Sequence, residues 1–88
     1  MASQLDLEIE ACRHLLGYYG HAEGYRPGGF TTTLIMAFER ADDRNTMKLK
    51  VGFPEFAVPV EILKNLGIDL LAEHMHDLIR HKEAAEGA

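Results

Sequence analysis

The chain has 88 residues, of which 9 are Lys or Arg and 14 are Asp or Glu, so its formal net charge at pH 7 is −5. This length predicts a single domain, residues 1–88, because separate domains usually need about 100 residues each, and a hydrophobic content of 47% is too high for a disordered chain. The single cysteine, Cys12, excludes a disulfide framework and fits a reducing compartment.

The first predicted helix begins near Ser3, whose hydroxyl can form a capping box with Asp6. Residues 5–10 alternate as a strand would, but an apolar face of helical spacing continues much further, which favours a helix. That face consists of Leu5, Ile9, Cys12, Leu16 and Tyr19. Gly20 is expected to end the helix, and a flexible loop is expected near residues 20–29.

A second helix is predicted to open at Phe30, with Thr31 as its N-cap and with Phe30 packed on Ile35. Its buried face is formed by Leu34, Phe38 and Ala41.

Asp42 and Asp43 are expected to end the second helix and to cap a short third one. The third helix is predicted to bury Met47, Leu49 and Val51. Gly52 then suits a left-handed C-terminal position, from which Phe53 would fold back onto Met47.

Pro54 and Pro59 predict either a single turn followed by a helix from Pro59, or one kinked helix, and we favour the first. Gly67 is expected to end that helix and Asp69 to cap the last one, which frays from about residue 83. The last helix buries Leu71, Met75, Leu78 and Ile79. The predicted fold class is therefore all-α, a compact bundle of four to five short helices.

Residues 27–54 are the most individual part of the chain. They contain Pro27-Gly28-Gly29-Phe30-Thr31, an apolar helix, Ala41-Asp42, Asn45 and finally Gly52-Phe53-Pro54. This run resembles small proteins of unknown function that are encoded by actinobacteria and their phages. The resemblance implies a small helical phage or prophage protein, and it brings no catalytic residues.

A metal site is the first chemical possibility that the sequence raises. His74, Asp77 and His81 share a face of the last predicted helix, and such a trio could bind zinc. A second element would have to supply a further ligand, and only the distant His14 and His21 could do so. A solvated face whose histidines oppose the helix dipole is the simpler interpretation, so we predict no metal and no cofactor.

Two other motifs also have simpler structural interpretations. Cys12 lies on the predicted buried face, which favours a core residue over a catalytic thiol. Gly28-Gly29, with Arg26 nearby, could cradle an anion before a helix, but a phosphate loop usually follows a strand and carries a lysine. We therefore expect a plain turn there.

The chain has one basic cluster, Arg40, Arg44, Lys48 and Lys50. A recognition helix in a DNA groove is conceivable there, but neighbouring acidic residues offset most of the charge. Solvated ion pairing along the helix is the favoured interpretation, and binding of nucleic acid is the alternative.

The predicted protein-interaction site is the aromatic cluster around the first loop: Tyr18, Tyr19, Tyr25, Arg26 and Phe30. Tyrosine is enriched where proteins meet partners, although the same side chains could instead close the core.

Together these patterns predict a small non-catalytic protein–protein interaction module that is not an enzyme and is encoded by a phage or prophage. Its expected partner is a bacterial host protein or its own copy. Nucleic acid is a disfavoured partner because of the acidic surplus. No apolar run could cross a membrane, so we expect a cytoplasmic protein without a membrane partner. The alternatives are a nucleic-acid-binding or DNA-mimic regulatory protein and, less favoured, a metal-dependent enzyme.

Overall fold

Five α-helices and one 3₁₀ turn make up residues 3–87, the part of the chain that the computed structural model describes. The elements are α1 (Gln4–Tyr18), α2 (Gly29–Arg40), α3 (Asp43–Gly52), the 3₁₀ turn (Pro54–Phe56), α4 (Ala57–Leu66) and α5 (Ile68–Gly87). No strand occurs within residues 3–87, which confirms the predicted all-α bundle. None of the helices in this range is long and apolar enough to cross a membrane.

Helix α1 begins with the predicted capping box. The Ser3 hydroxyl accepts a hydrogen bond from the Asp6 backbone N–H at 3.1 Å, and the Asp6 carboxylate accepts one from the Ser3 N–H at 3.3 Å. Lys82 of α5 lies 2.6 Å from the same carboxylate. The bonds from Lys82 and then from Ser3 lower the pKa of Asp6, and they tie the start of α1 to the far end of the last helix.

Helix α1 is the centre of the bundle, because it packs against α2, α4, α5 and the 3₁₀ turn. Its side chains Cys12 and Leu16 are completely buried. One contiguous core results, consisting of Ile9, Ala11, Cys12, Leu15, Leu16, Leu34, Ile35, Phe38, Phe56, Val60, Leu71, Ala72 and Met75. The radius of gyration of the chain, 12.8 Å, is close to the roughly 12 Å expected of a compact chain of this length.

Helix α2 begins earlier than predicted, and two predictions at its start are wrong. The N-cap is Gly28, because the Gly28 carbonyl already accepts the Thr32 N–H at 2.9 Å, so Thr31 lies inside the first turn. This register turns Phe30 outward. Its ring stands 6.0 Å from that of Phe53, and it does not staple the helix to the buried Ile35.

Helix α3 keeps its predicted cap, since the Asp42 side chain accepts from the Asn45 N–H at 2.8 Å. Its predicted apolar face is wrong. Met47 is 68% exposed and Val51 is 83% exposed, whereas Thr46 is buried. Residues spaced by two cannot share one helix face. The helix packs on the 3₁₀ turn instead, with Thr46 buried and Leu49 half-buried.

The C-terminal end of α3 also differs from the prediction. Gly52 remains helical, and the Phe53 N–H donates to the Leu49 carbonyl at 2.8 Å. Phe53 packs near Phe30 and not on the outward-facing Met47.

A single turn followed by a helix between Pro54 and Leu66 is confirmed, although α4 begins at Ala57, so that Pro59 lies in its first turn. Gly67 ends α4 as predicted. Its φ is +94°, in the left-handed region that favours glycine, and its N–H donates to the Ile62 carbonyl. Because α5 starts directly at Ile68, Asp69 lies in its first turn and does not cap it. Helix α5 continues to Gly87, where the sequence predicts a frayed tail from about residue 83.

Candidate functional site

Two of the predicted interaction residues, Tyr18 and Tyr19, form a clamp on Glu39 of α2. The Tyr18 hydroxyl donates to one carboxylate oxygen at 3.0 Å, and the Tyr19 hydroxyl donates to the other at 2.6 Å. The bond to Glu39 raises the pKa of Tyr18; burial, followed by the same carboxylate, raises that of Tyr19. The clamp therefore joins the end of α1 to α2 and engages both hydroxyls within the chain.

Tyr25 belongs to a different arrangement, on the segment between α1 and α2. Its ring lies under the Arg13 guanidinium at 4.8 Å, and its hydroxyl accepts a hydrogen bond from Arg13 at 2.6 Å. The Tyr25 N–H also donates to the Arg13 carbonyl at 2.9 Å. These bonds fasten the predicted flexible loop to the side of α1.

Phe30 forms a third arrangement, an aromatic pair with Phe53, while Arg26 is exposed. Phe30 also faces an open groove between α1, α2 and the 3₁₀ turn, which His14 and Glu10 line. Four of the five predicted residues thus divide among three sets of partners, and the fifth, Arg26, is exposed.

Two of the three residues considered for metal binding, His74 and Asp77, are engaged in separate pairs. His74 lies 2.8 Å from Glu8 on α1, and Asp77 pairs with Arg80 along α5. His81 is exposed. Within residues 3–87, no group of three His, Cys, Asp or Glu side chains is arranged to hold a metal ion.

Cys12 is buried in the core, as predicted. Burial, and secondarily the negative charge of Glu8, raises the pKa of its thiol to about 12. The thiol therefore stays protonated at neutral pH, and the reactive thiolate form is disfavoured.

The basic cluster divides into one paired residue and three unpaired ones. Lys50 forms an ion pair with Glu61 of α4, and this contact lowers the pKa of the Glu61 carboxyl. Arg40, Arg44 and Lys48 are exposed, and none has an ion-pair partner within residues 3–87. Their charges are therefore available to an external partner.

Two of these cations lie on a surface that includes Met47 and Val51, which the sequence predicts to be buried. Arg44, Met47, Lys48 and Val51 line one open patch, which we call the α3 face. They follow one another at steps of three, one and three residues, the spacing of a single helix stripe. That spacing was the available signal, because it groups Met47 with Val51 and separates both from Leu49.

Lys48 also borders a second depression, the groove between α2 and α3. Arg40 and Asn45 lie on its polar side, and its apolar lining consists of Ala37, Ala41, Leu49 and Phe53. The α3 face and this groove are therefore adjacent surfaces, both of them apolar with a cationic border.

Comparison of the chain with protein-family models, with curated protein sequences and with solved structures finds no match.

Proposed function

We propose that this protein is a non-catalytic protein-binding module that docks its partner on the α3 face. One observation carries this proposal. Met47 and Val51 are two of the three most exposed large apolar side chains within residues 3–87, and they share one patch of a single helix with the unpaired Arg44 and Lys48. In this proposal the chain is phage or prophage encoded and acts on a bacterial host protein or on its own copy.

The composition of the α3 face supports docking of a protein. When a partner covers apolar side chains that are exposed to water on a folded chain, the free energy of the complex is lowered by about 25 cal/mol per Å² of apolar surface removed from water. Met and Arg are enriched at protein interfaces, and charged groups around an apolar centre give a partner its orientation. The α3 face has both features on a single rigid helix.

The buried thiol supports a binding role over thiol catalysis. Cys12 has no exposed surface, and burial raises its pKa to about 12, so the thiol stays protonated at neutral pH. This favours action through the surface.

A capture experiment with paired variants tests the proposal. Met47→Ser combined with Val51→Ser removes the apolar centre, and Val58→Ser is the control because Val58 is an exposed β-branched residue on α4, outside the α3 face. We expect proteins captured from a bacterial lysate by the wild-type chain to be lost with the double variant and kept with the control. Capture that the double variant leaves unchanged would contradict the proposal.

A second candidate function is nucleic-acid binding, which the three unpaired cations Arg40, Arg44 and Lys48 favour. Phosphate contacts would make such binding strongly dependent on salt concentration. Retardation of duplex DNA that disappears with Arg44→Ala and Lys48→Ala would support this function. It is the weaker candidate because the phosphates of a nucleic acid would make no favourable apolar contact with the exposed Met47 and Val51.

A further inference from the structure

A second apolar and charged surface lies where α4 meets α5. Leu66 is 61% exposed and Leu70 is 42% exposed, and Asp69 and Glu73 are exposed beside them. Neither carboxylate has an ion-pair partner within residues 3–87. We call these four residues the α4–α5 corner.

We propose that the α3 face of one copy of the chain docks on the α4–α5 corner of a second copy. This inference rests on the proposed function, since it names the partner of the same surface. The corner is acidic where the α3 face is basic, and both surfaces have two exposed apolar side chains.

The charged positions of the two surfaces match in spacing. Arg44 and Lys48 are four residues apart on α3, and Asp69 and Glu73 are four residues apart on α5. When α3 and α5 run antiparallel, Arg44 can meet Glu73 while Lys48 meets Asp69. Met47 lies between the two cations in the sequence and Leu70 between the two carboxylates, so apolar surface accompanies both ion pairs.

Antiparallel packing adds a favourable electrostatic contribution. The positive N-terminal end of α5 lies near the negative C-terminal end of α3 in this arrangement. Two ion pairs four residues apart also fix the register, because a shift by one helical turn would leave one cation and one carboxylate without a partner.

The contact joins two different surfaces, so every copy offers both a donor and an acceptor. Such heterologous contacts close into a pair or ring when the geometry allows, and otherwise form open chains. With only four residues from each copy the contact falls below the 1,200 Å² or so that stable complexes bury. The association is therefore weak and reversible.

Charge reversal on each surface provides the test. One variant combines Arg44→Glu with Lys48→Glu, and the other combines Asp69→Lys with Glu73→Lys. Sedimentation velocity from about 10 μM to about 1 mM protein follows self-association, and circular dichroism shows whether each variant is folded. We expect each variant alone to associate at least tenfold more weakly than the wild type.

Recombining the charges then identifies the pairing. A mixture of the two variants brings basic and acidic surfaces together again, and so does one chain with all four substitutions. We expect association to return in both cases. The variant that combines Met47→Ser with Val51→Ser leaves the charges unchanged but lacks the apolar contact. We therefore expect this variant alone to stay monomeric.

The outcomes separate this inference from the proposed function. A wild-type chain that is monomeric at about 1 mM, or self-association that the charge reversals leave unchanged, would overturn the inference. If another protein is then still captured in a manner sensitive to Met47→Ser and Val51→Ser, the proposed function stands without it. If that capture also fails, both are wrong. DNA binding through Arg44 and Lys48 without self-association would likewise overturn the inference.

Discussion

The backbone of Gly17 in α1 lies directly against the carbonyl group of Tyr25. A side-chain carbon on Gly17 would stand only 1.9 Å from the Tyr25 oxygen, and one on Gly24 would stand 2.0 Å from the Gly17 nitrogen. Two glycines therefore let the segment between α1 and α2 approach the helix backbone, where Tyr25 then bonds to Arg13. The close approach explains why the last turn of α1 contains a residue of poor helix propensity.

We predict that Gly17→Ala destabilises the protein. Propensity alone would make alanine better by about 1 kcal/mol. The collision with Tyr25 outweighs this gain, since overpacking against immobile atoms usually costs about 1–3 kcal/mol. Urea unfolding measures the free energy of unfolding. The matched control is Gly29→Ala in the first turn of α2, where an added carbon meets nothing within 4 Å and should leave stability unchanged or slightly raised. Equal stability of the Gly17→Ala variant and the wild type would show that the loop is not held against α1.

Substitutions on the exposed face of α3 should change the free energy of unfolding much less than substitutions in the core. We expect Val51→Ala to change the free energy of unfolding by less than about 0.5 kcal/mol, because its side chain is already in water. Leu71→Ala leaves a cavity in the centre of the core and should cost about 2–5 kcal/mol. Thermal and urea unfolding of both variants check this difference. A large loss with Val51→Ala would mean that the side chain is buried after all.

The contact between Asp6 and Lys82 should make stability depend on pH in the acid range. The pKa of Asp6 is lower in the folded chain than its ordinary 3.8, so its contribution is complete above that value and is lost as the pH falls through the lowered one. We expect the wild type to be more stable than Asp6→Asn near neutral pH, and the difference to shrink as the pH falls. The control is Glu83→Gln, an exposed residue with no ion-pair partner within residues 3–87, whose effect should stay small. A difference between the wild type and Asp6→Asn that does not vary with pH would contradict the assignment.

The clamp on Glu39 should be visible in an alkaline titration. Both clamped tyrosines have pKa values above the ordinary 10.0, so their contribution to stability is complete below that value and is lost as the pH rises through the folded-state values. The substitution Glu39→Gln removes the negative charge and replaces one of the two acceptor oxygens by an amide NH₂ group, which donates. We expect Tyr18 and Tyr19 then to ionise at lower pH, which the ultraviolet absorbance of tyrosinate measures. An unchanged titration curve would show that Glu39 does not hold them.

Features that depend on a few neighbouring residues could be predicted from the sequence. The Ser3 and Asp6 capping box, the Asp42 cap and the end of α4 at Gly67 are all as expected. Each of them needs only a short side chain or a glycine within one helical turn.

Features that depend on which elements meet could not be predicted in this way. The outward direction of Met47 follows from the 3₁₀ turn packing on the other side of α3. The spacing groups Met47 with Val51, but it does not indicate which face of α3 that turn covers. The contact of Gly17 with Tyr25 joins α1 to the segment that follows it, so no pattern within α1 indicates why a glycine is needed there. The tyrosines were grouped by their closeness along the chain, whereas Glu39 and Arg13 divide them in space.

The burial of Cys12 makes the reactivity of its thiol a measure of local unfolding around α1. It is the only thiol in the chain, it has no exposed surface, and its raised pKa keeps it protonated. A thiol-modifying reagent can reach it only when α1 separates from the helices around it. The rate of labelling therefore reports how often α1 separates from its neighbours, and it does so in the wild-type chain without any substitution. Amide hydrogen exchange would give the same information one backbone N–H at a time.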